Sequence, residues 1–125
     1  MDNNKKIKSF TELTVWQEAH KLVLLIYKTT DSYPKPEVFG LTSQMRRAAV
    51  SITSNIAEGF SRSTYTDKIH FYIISKGSLT ELQDQLLIAR DLKYLNNKDF
   101  QAAADLSITV HKLLNGLIRQ SKTKV

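Results

Sequence analysis

The chain has 125 residues, 42% of them hydrophobic and 24% charged, with a formal net charge of +6. That length and composition fit one domain with a single real core and exclude a disordered chain. With no cysteine there is neither a disulfide framework nor a thiolate metal site, and the absence of an apolar run of about 20 residues argues against a membrane span.

The N-terminus "MDNNKKIKSF" lacks the apolar core of a signal peptide, so the expected compartment is the cytoplasm. Residues 1–9 and 119–125 are basic and are expected to be flexible tails on a single domain spanning 1–125. Residues 1–9 carry +2, 41–63 carry +2 and 96–125 carry +3, while 10–30 and 64–95 are neutral and 31–40 carry −1. Lysines in tails serve solubility, whereas cations on a folded face would attract nucleic acid.

A first helix is expected from "SFTELTVW", with Ser9 and Glu12 at capping-box spacing and Thr11 as a competing N-cap. Its apolar stripe is Leu13, Trp16, His20, Val23, Tyr27 and Thr30, flanked by Ala19, Leu22 and Ile26. Pro34 and Pro36 in "DSYPKPE" end it.

The second helix should begin at Val38 or Leu41 and stop at Gly59. Its core line is Leu41, Met45, Ala48, Ile52 and Ile56, with Ala49 beside it. Thr64, with Asp67 three residues on, opens a third helix expected to reach about Tyr94. Gly77 falls inside that helix at a propensity cost near 1 kcal/mol, which suggests a close neighbour there. Asn96 or Asn97 then caps a fourth helix through Phe100, Ala103, Ala104, Leu106, Val110, Leu113, Leu114, Leu117 and Ile118. No strand pattern intervenes, so the fold class is all-α, an up-down-up-down antiparallel four-helix bundle.

The stretch "AAVSITSNIAEGFSR" concentrates residues that prefer caps and loops inside helix two. Gln44, Arg47, Ser51, Asn55, Glu58 and Arg62 recur at three and four and so share one stripe. Short polar residues beside Ala48, Ala49 and Ala57 suggest that another backbone approaches closely. The stripe either fixes helix register against helix three, through Glu81 or Gln85, or meets another subunit. It carries no nucleophile–base pair, so no catalytic residue is expected.

No metal or cofactor site is expected either. A bundle di-metal centre wants Glu-x-x-His repeats on facing helices, whereas His20, His70 and His111 lie singly on three helices. A phosphate-binding glycine loop is also missing. Arg46 and Arg47 lie about 100° apart around the helix. Arg47 joins the stripe and Arg46 should reach outward. Both could pair with Glu37 or Glu58, or contact phosphate. The expected phosphate-contacting residues are Arg46, Arg47, Arg62 and Lys76.

The segments "FTELTVWQEAHKLVLLIY", "YPKPEVFGLTSQMRRAAVSITSNIAEGFSRS" and "KGSLTELQDQLLIARDLKYL" resemble the bacterial four-helix-bundle proteins associated with intervening sequences of 23S rRNA. Glu37, Gln44, Arg46–Arg47, Ser51, Asn55 to Gly59, and Gly77, Ser78, Leu79 and Glu81 carry the resemblance. It implies a homopentameric ring, and kinship with the accessory proteins of diversity-generating retroelements, basic pentamers that act with a reverse transcriptase and nucleic acid. Ser75–Lys76 stands where that family commonly has Ala–Arg, and Lys93 where Gly often precedes Tyr. The functional expectation is a non-enzymatic ring that binds RNA or DNA through phosphate electrostatics. The alternative is a structural adaptor whose partner is another protein.

Overall fold

In the computed structural model, which describes residues 6–125, four α-helices account for the fold and no strand occurs among the described residues. They are α1 (Thr14–Thr30), α2 (Leu41–Ser61), α3 (Tyr65–Asp91) and α4 (Asn97–Lys122), with short 3-10 turns at Phe10–Glu12 and Lys35–Phe39. Helix α1 packs on α2 and α4, and α3 packs on the same two, so each helix has two neighbours around one core. None of the helices is long and apolar enough to cross a membrane among the described residues.

The core is aliphatic. Leu22, Ile26, Met45, Ile52, Ile56, Leu79, Leu82, Leu86, Val110 and Leu114 are all essentially closed to solvent, and each large aliphatic side chain so buried contributes about 1.5–3 kcal/mol. On α2 the expected apolar line is the buried one, except that Leu41 is only partly covered. On α1 the inward face is Val15, Ala19, Leu22 and Ile26. The residues expected at the centre of that stripe, Leu13, Trp16 and Val23, lie at the core margin instead, and Tyr27 is exposed. The two stripes are one residue step apart, and periodicity alone does not set the rotation of a helix that is apolar over a wide arc.

The ends of the helices show how local chemistry sets boundaries. Ser9 caps the 3-10 turn rather than α1: its Oγ accepts from Thr11 N at 3.2 Å, and Glu12 turns back to Lys8 N at 3.0 Å. Helix α1 then starts behind Leu13 with no side-chain cap. Val38 lies in the second 3-10 turn, so α2 starts at Leu41. Thr64 and Asn96 cap α3 and α4 through Asp67 N (3.2 Å) and Asp99 N (2.8 Å), as their spacing implies. Arg119 and Lys122, assigned to a flexible tail by sequence, sit in the last turn of α4, where Ser121 is buried. Of the N-terminal segment, residues 1–5 lie outside the described residues.

Both glycines expected to have structural meaning behave differently from expectation. Gly59 does not stop α2, which continues to Ser61. It is instead a point of close approach to α3, where a Cβ would lie 2.7 Å from Tyr72 Cε1 and 3.1 Å from Lys68 O. Gly77, expected to meet a close neighbour, is exposed and faces open space.

The end of α3 explains the departure at Lys93. Tyr94 N donates to Ala89 O and Lys93 N to Arg90 O, both at 3.0 Å, the paired bonds of a Schellman termination. That motif puts the residue between them in the left-handed region, and Lys93 has φ 65°. A side chain there costs about 1 kcal/mol relative to glycine. Lys93→Gly is therefore expected to stabilise the protein by up to about 1 kcal/mol, read as a higher urea midpoint. An unchanged or lower midpoint would contradict the strain at this position.

Tyr94 also joins two connections. Its hydroxyl donates to Glu37 Oε2 at 2.9 Å, while Glu37 Oε1 accepts from Leu41 N at 3.2 Å. The α1–α2 and α3–α4 connections thus meet at one end of the bundle, and Glu37 satisfies an orphan N–H at the start of α2.

Candidate nucleic-acid interface

The polar stripe of α2 divides into a middle bonded to α3 and two exposed ends. In the middle, Ser51 Oγ shares a 2.7 Å hydrogen bond with Ser78 Oγ of α3. Asn55 Nδ2 donates to Ser51 O at 2.8 Å and to Ser51 Oγ at 3.1 Å. One turn away, the fully buried Ser75 donates to Ile52 O at 2.8 Å. These small side chains let the α2 and α3 backbones come together and give the polar groups partners at the contact, which leaves little buried hydrogen-bonding capacity unspent.

The partners on α3 are therefore Ser75 and Ser78, not Glu81 or Gln85. Glu81 instead accepts from Gln85 Nε2 at 3.1 Å within its own helix. Glu81 is exposed while Gln85 is buried, so that pair belongs to the flank of α3. Sequence reasoning singled out the α2 side of this seam and missed Ser75. The available signal was its spacing, three residues before Ser78 and four before Leu79, which places a hydroxyl on the inward face.

The ends of the stripe turn to solvent. Gln44 and Arg47 are exposed, and neither side chain meets a hydrogen-bond partner among the described residues. At the far end Glu58 binds Ser61, whose Oγ lies 3.1 Å from Glu58 Oε2, and approaches Arg62 Nε at 3.7 Å. The Arg62 guanidinium also lies 4.5 Å above the Phe71 ring. Half-exposed pairs of this kind add a few tenths of a kcal/mol and leave Arg62 accessible.

Arg46 and Arg47 exchange their expected roles. Arg46 is the anchored one: Nε donates to Thr30 Oγ1 at 2.9 Å, Nη2 donates to Tyr27 O at 3.2 Å, and the guanidinium stacks 4.7 Å from the Tyr27 ring. It thereby satisfies carbonyl and hydroxyl groups in the last turn of α1, where a cation is also favoured by the helix dipole. Neither arginine pairs with Glu37 or Glu58 among the described residues. Arg47 lines an open groove of about 420 Å³ with Tyr27, Val38, Thr42, Ser43, Arg46 and Val50.

Lys76 points to the other side of α3. It lines an open groove with Asn115, Ile118, Arg119 and Lys122 of α4. No carboxylate lies within 4.0 Å of Arg47, Lys76, Arg119 or Lys122 among the described residues, whose side-chain ion pairs are Glu18–Lys21, Glu58–Arg62 and Arg90–Asp91.

The histidines do not converge. His20 stacks on Trp16 at 4.7 Å and His70 meets the edge of Phe71 at 5.6 Å. Among the described residues no three His, Asp or Glu side chains come together in a metal-binding arrangement.

Comparison with solved structures finds the same fold in a crystal structure from Bacteroides thetaiotaomicron VPI-5482, a protein of unknown function from the S23 ribosomal protein family. The two share 21% identity with a TM-score of 0.76, over 84% of this chain and 98% of that one. No curated protein matches the sequence. The family model of the 23S rRNA-intervening sequence protein matches residues 11–116. With that match covering α1 to α3 and most of α4, the chain belongs to the 23S rRNA-intervening sequence protein family.

Proposed function

We propose that this protein is a non-enzymatic, ring-forming four-helix bundle, homopentameric in its working state, that binds RNA or DNA through phosphate electrostatics. The observation that carries the reading is Arg47: exposed, without a carboxylate partner among the described residues, and lining an open groove. A planar guanidinium free to present its donors suits a phosphodiester oxygen, a contact that gives affinity without reading sequence.

Ring formation is supported by apolar surface outside the core. Helix α3 buries Tyr72, Leu79, Leu82 and Leu86, yet also exposes Ile73, Ile74, Leu87 and Ile88. A helix apolar on more than one face has more to cover than one bundle provides. Closing a ring would repeat each free cation around the axis and raise the local field well above that of one chain.

Sedimentation should give a mass five times that of the 14.3 kDa chain. Binding of labelled RNA should weaken by a hundredfold or more between about 50 and about 200 mM salt, with little sequence preference. Tight binding indifferent to salt, or no binding at low salt, would overturn the electrostatic reading.

A second reading, an adaptor whose partner is a protein such as a reverse transcriptase, is favoured by Phe39. That side chain is 94% exposed beside the half-exposed Val38, on the turn that leads into α2. Loss of protein capture, with nucleic-acid binding intact, in Phe39→Ala would favour the adaptor.

A further inference from the structure

The groove between α3 and α4 holds more unpaired positive charge than the α2 face. Lys76 reaches it from the middle of α3, Arg119 and Lys122 from the last turn of α4, and Asn115 of α4 also lines it. From this convergence we propose a second phosphate site, distinct from the Arg47 groove, in which Lys76, Asn115, Arg119 and Lys122 hold the backbone of an RNA or DNA strand. The proposal rests on the nucleic-acid reading above and goes beyond it in naming residues on a different face.

Three features support it. The lining contains three cations and no carboxylate, and the open space is about 350 Å³. The macrodipole of α4 favours Arg119 and Lys122 near its C-terminus, but gives no reason for Lys76, a mid-helix residue of α3, to join them. Three like charges on one groove repel each other, and an anion placed among them relieves that repulsion.

The geometry also favours a polymer. The Arg119 guanidinium folds back over Gly116, its Nη2 lying 3.9 Å from where a Cβ would stand. It is thus set along the helix from Lys122, while Lys76 stands across the groove. Cations spread along and across a groove suit successive phosphates of a strand better than one small anion. An anionic lipid surface would want exposed apolar residues beside the cations. The groove's one apolar lining residue, Ile118, is 7% exposed, and the exposed Ile73, one turn before Lys76, lies outside the groove lining.

The test is the salt dependence of binding for labelled single-stranded RNA, using the full chain and the variants Lys76→Gln, Arg119→Gln, Lys122→Gln and Arg47→Gln. Each groove variant should weaken binding about fivefold at about 0.1 M salt and lower the log–log salt slope by about 0.7, the increment for one phosphate contact on a single strand. Arg119→Lys should keep the slope. Circular dichroism should match the parent and the melting temperature should stay within a few degrees of it, since the changed atoms are outside the core and Arg119 and Lys122 lose only a helix-end contact.

Groove variants that bind as the parent does, while Arg47→Gln weakens, would overturn this site and leave the nucleic-acid reading standing. A parent chain that fails to bind at the lowest salt would overturn both. Displacement of the RNA by inorganic phosphate at matched ionic strength, or preference for phosphatidylserine vesicles, would overturn the assignment to a nucleic-acid backbone.

Discussion

Gly59→Ala should destabilise the bundle by about 1–2 kcal/mol, even though alanine is the better helix former by about 1 kcal/mol. The added methyl would stand 2.7 Å from Tyr72 Cε1, 2.9 Å from Cδ1 and 3.1 Å from the Lys68 carbonyl oxygen. The Tyr72 ring is 2% exposed and has little room to retreat, and the carbonyl belongs to the α3 backbone. The helices must separate, and the cost of overpacking exceeds the gain in propensity. Gly77→Ala provides the opposite sign within the same molecule. A Cβ there meets nothing within 4 Å, so the propensity gain of up to about 1 kcal/mol should appear in full. Urea unfolding of both variants checks the pair. Two shifts in the same direction would contradict the packing assigned to these glycines.

The same tyrosine gives a second large effect, on the alkaline side. Burial, with Tyr65 nearby, pushes the Tyr72 phenol up to about 12. Burial, with Asp99 nearby, pushes Tyr33 up to about 12 as well. Tyr94 is also raised, by its hydrogen bond to the Glu37 carboxylate and then by burial. In the unfolded chain these phenols ionise near pH 10, so between there and the folded values the unfolded state holds fewer protons.

Stability from the raised values is therefore whole below about pH 10 and is lost as pH climbs toward about 12. Tyr33 and Tyr72 should each account for up to about 2 kcal/mol of that loss. The Lys68 ammonium, lowered by burial, works in the opposite direction and is more open to water. Tyr33 Oη has no hydrogen-bond partner among the described residues, so Tyr33→Phe should fold normally and flatten the alkaline limb. Urea midpoints at pH 8, 10 and 11 read this directly. An alkaline limb unchanged by Tyr33→Phe would contradict the burial of that hydroxyl as its cause.

How far these features could be read from the sequence depended on whether the cause was local. Thr64 and Asn96 act within four residues of themselves, and both caps were legible. Ser9 had the right cap chemistry, but a 3-10 turn took it, because capping-box spacing does not distinguish a short turn from a helix. Gly59 is ambiguous in the sequence for a related reason. Glycine marks both a helix end and a close approach, and only the position of Tyr72, thirteen residues on, tells which.

The site divides along the same line. That α2 carries a hydrogen-bonding face followed from a spacing of three and four: Ser51 bonds the Ser78 hydroxyl of α3, while Asn55 bonds back to Ser51 within α2. The partners on α3, Ser75 and Ser78, depend on register between two helices, which spacing on either helix alone does not encode. The reversal of Arg46 and Arg47 has the same origin. Adjacent residues diverge by a known angle, but whether one of them meets the end of α1 is a matter of how two helices cross. Arg119 and Lys122 were hidden by their place near the end of the chain, where basic residues read as a tail.

The central claim is that the charge which binds nucleic acid sits on the folded bundle. The most direct measurement compares the salt dependence of RNA binding for the parent chain with that of a chain carrying Lys5→Gln, Lys6→Gln and Lys8→Gln. Neutralising this N-terminal segment should leave most of the affinity at low salt and a steep negative slope, because Arg47, Lys76, Arg119 and Lys122 remain. Binding that disappears with those three lysines would place the charge in the tail and contradict a folded phosphate-binding face.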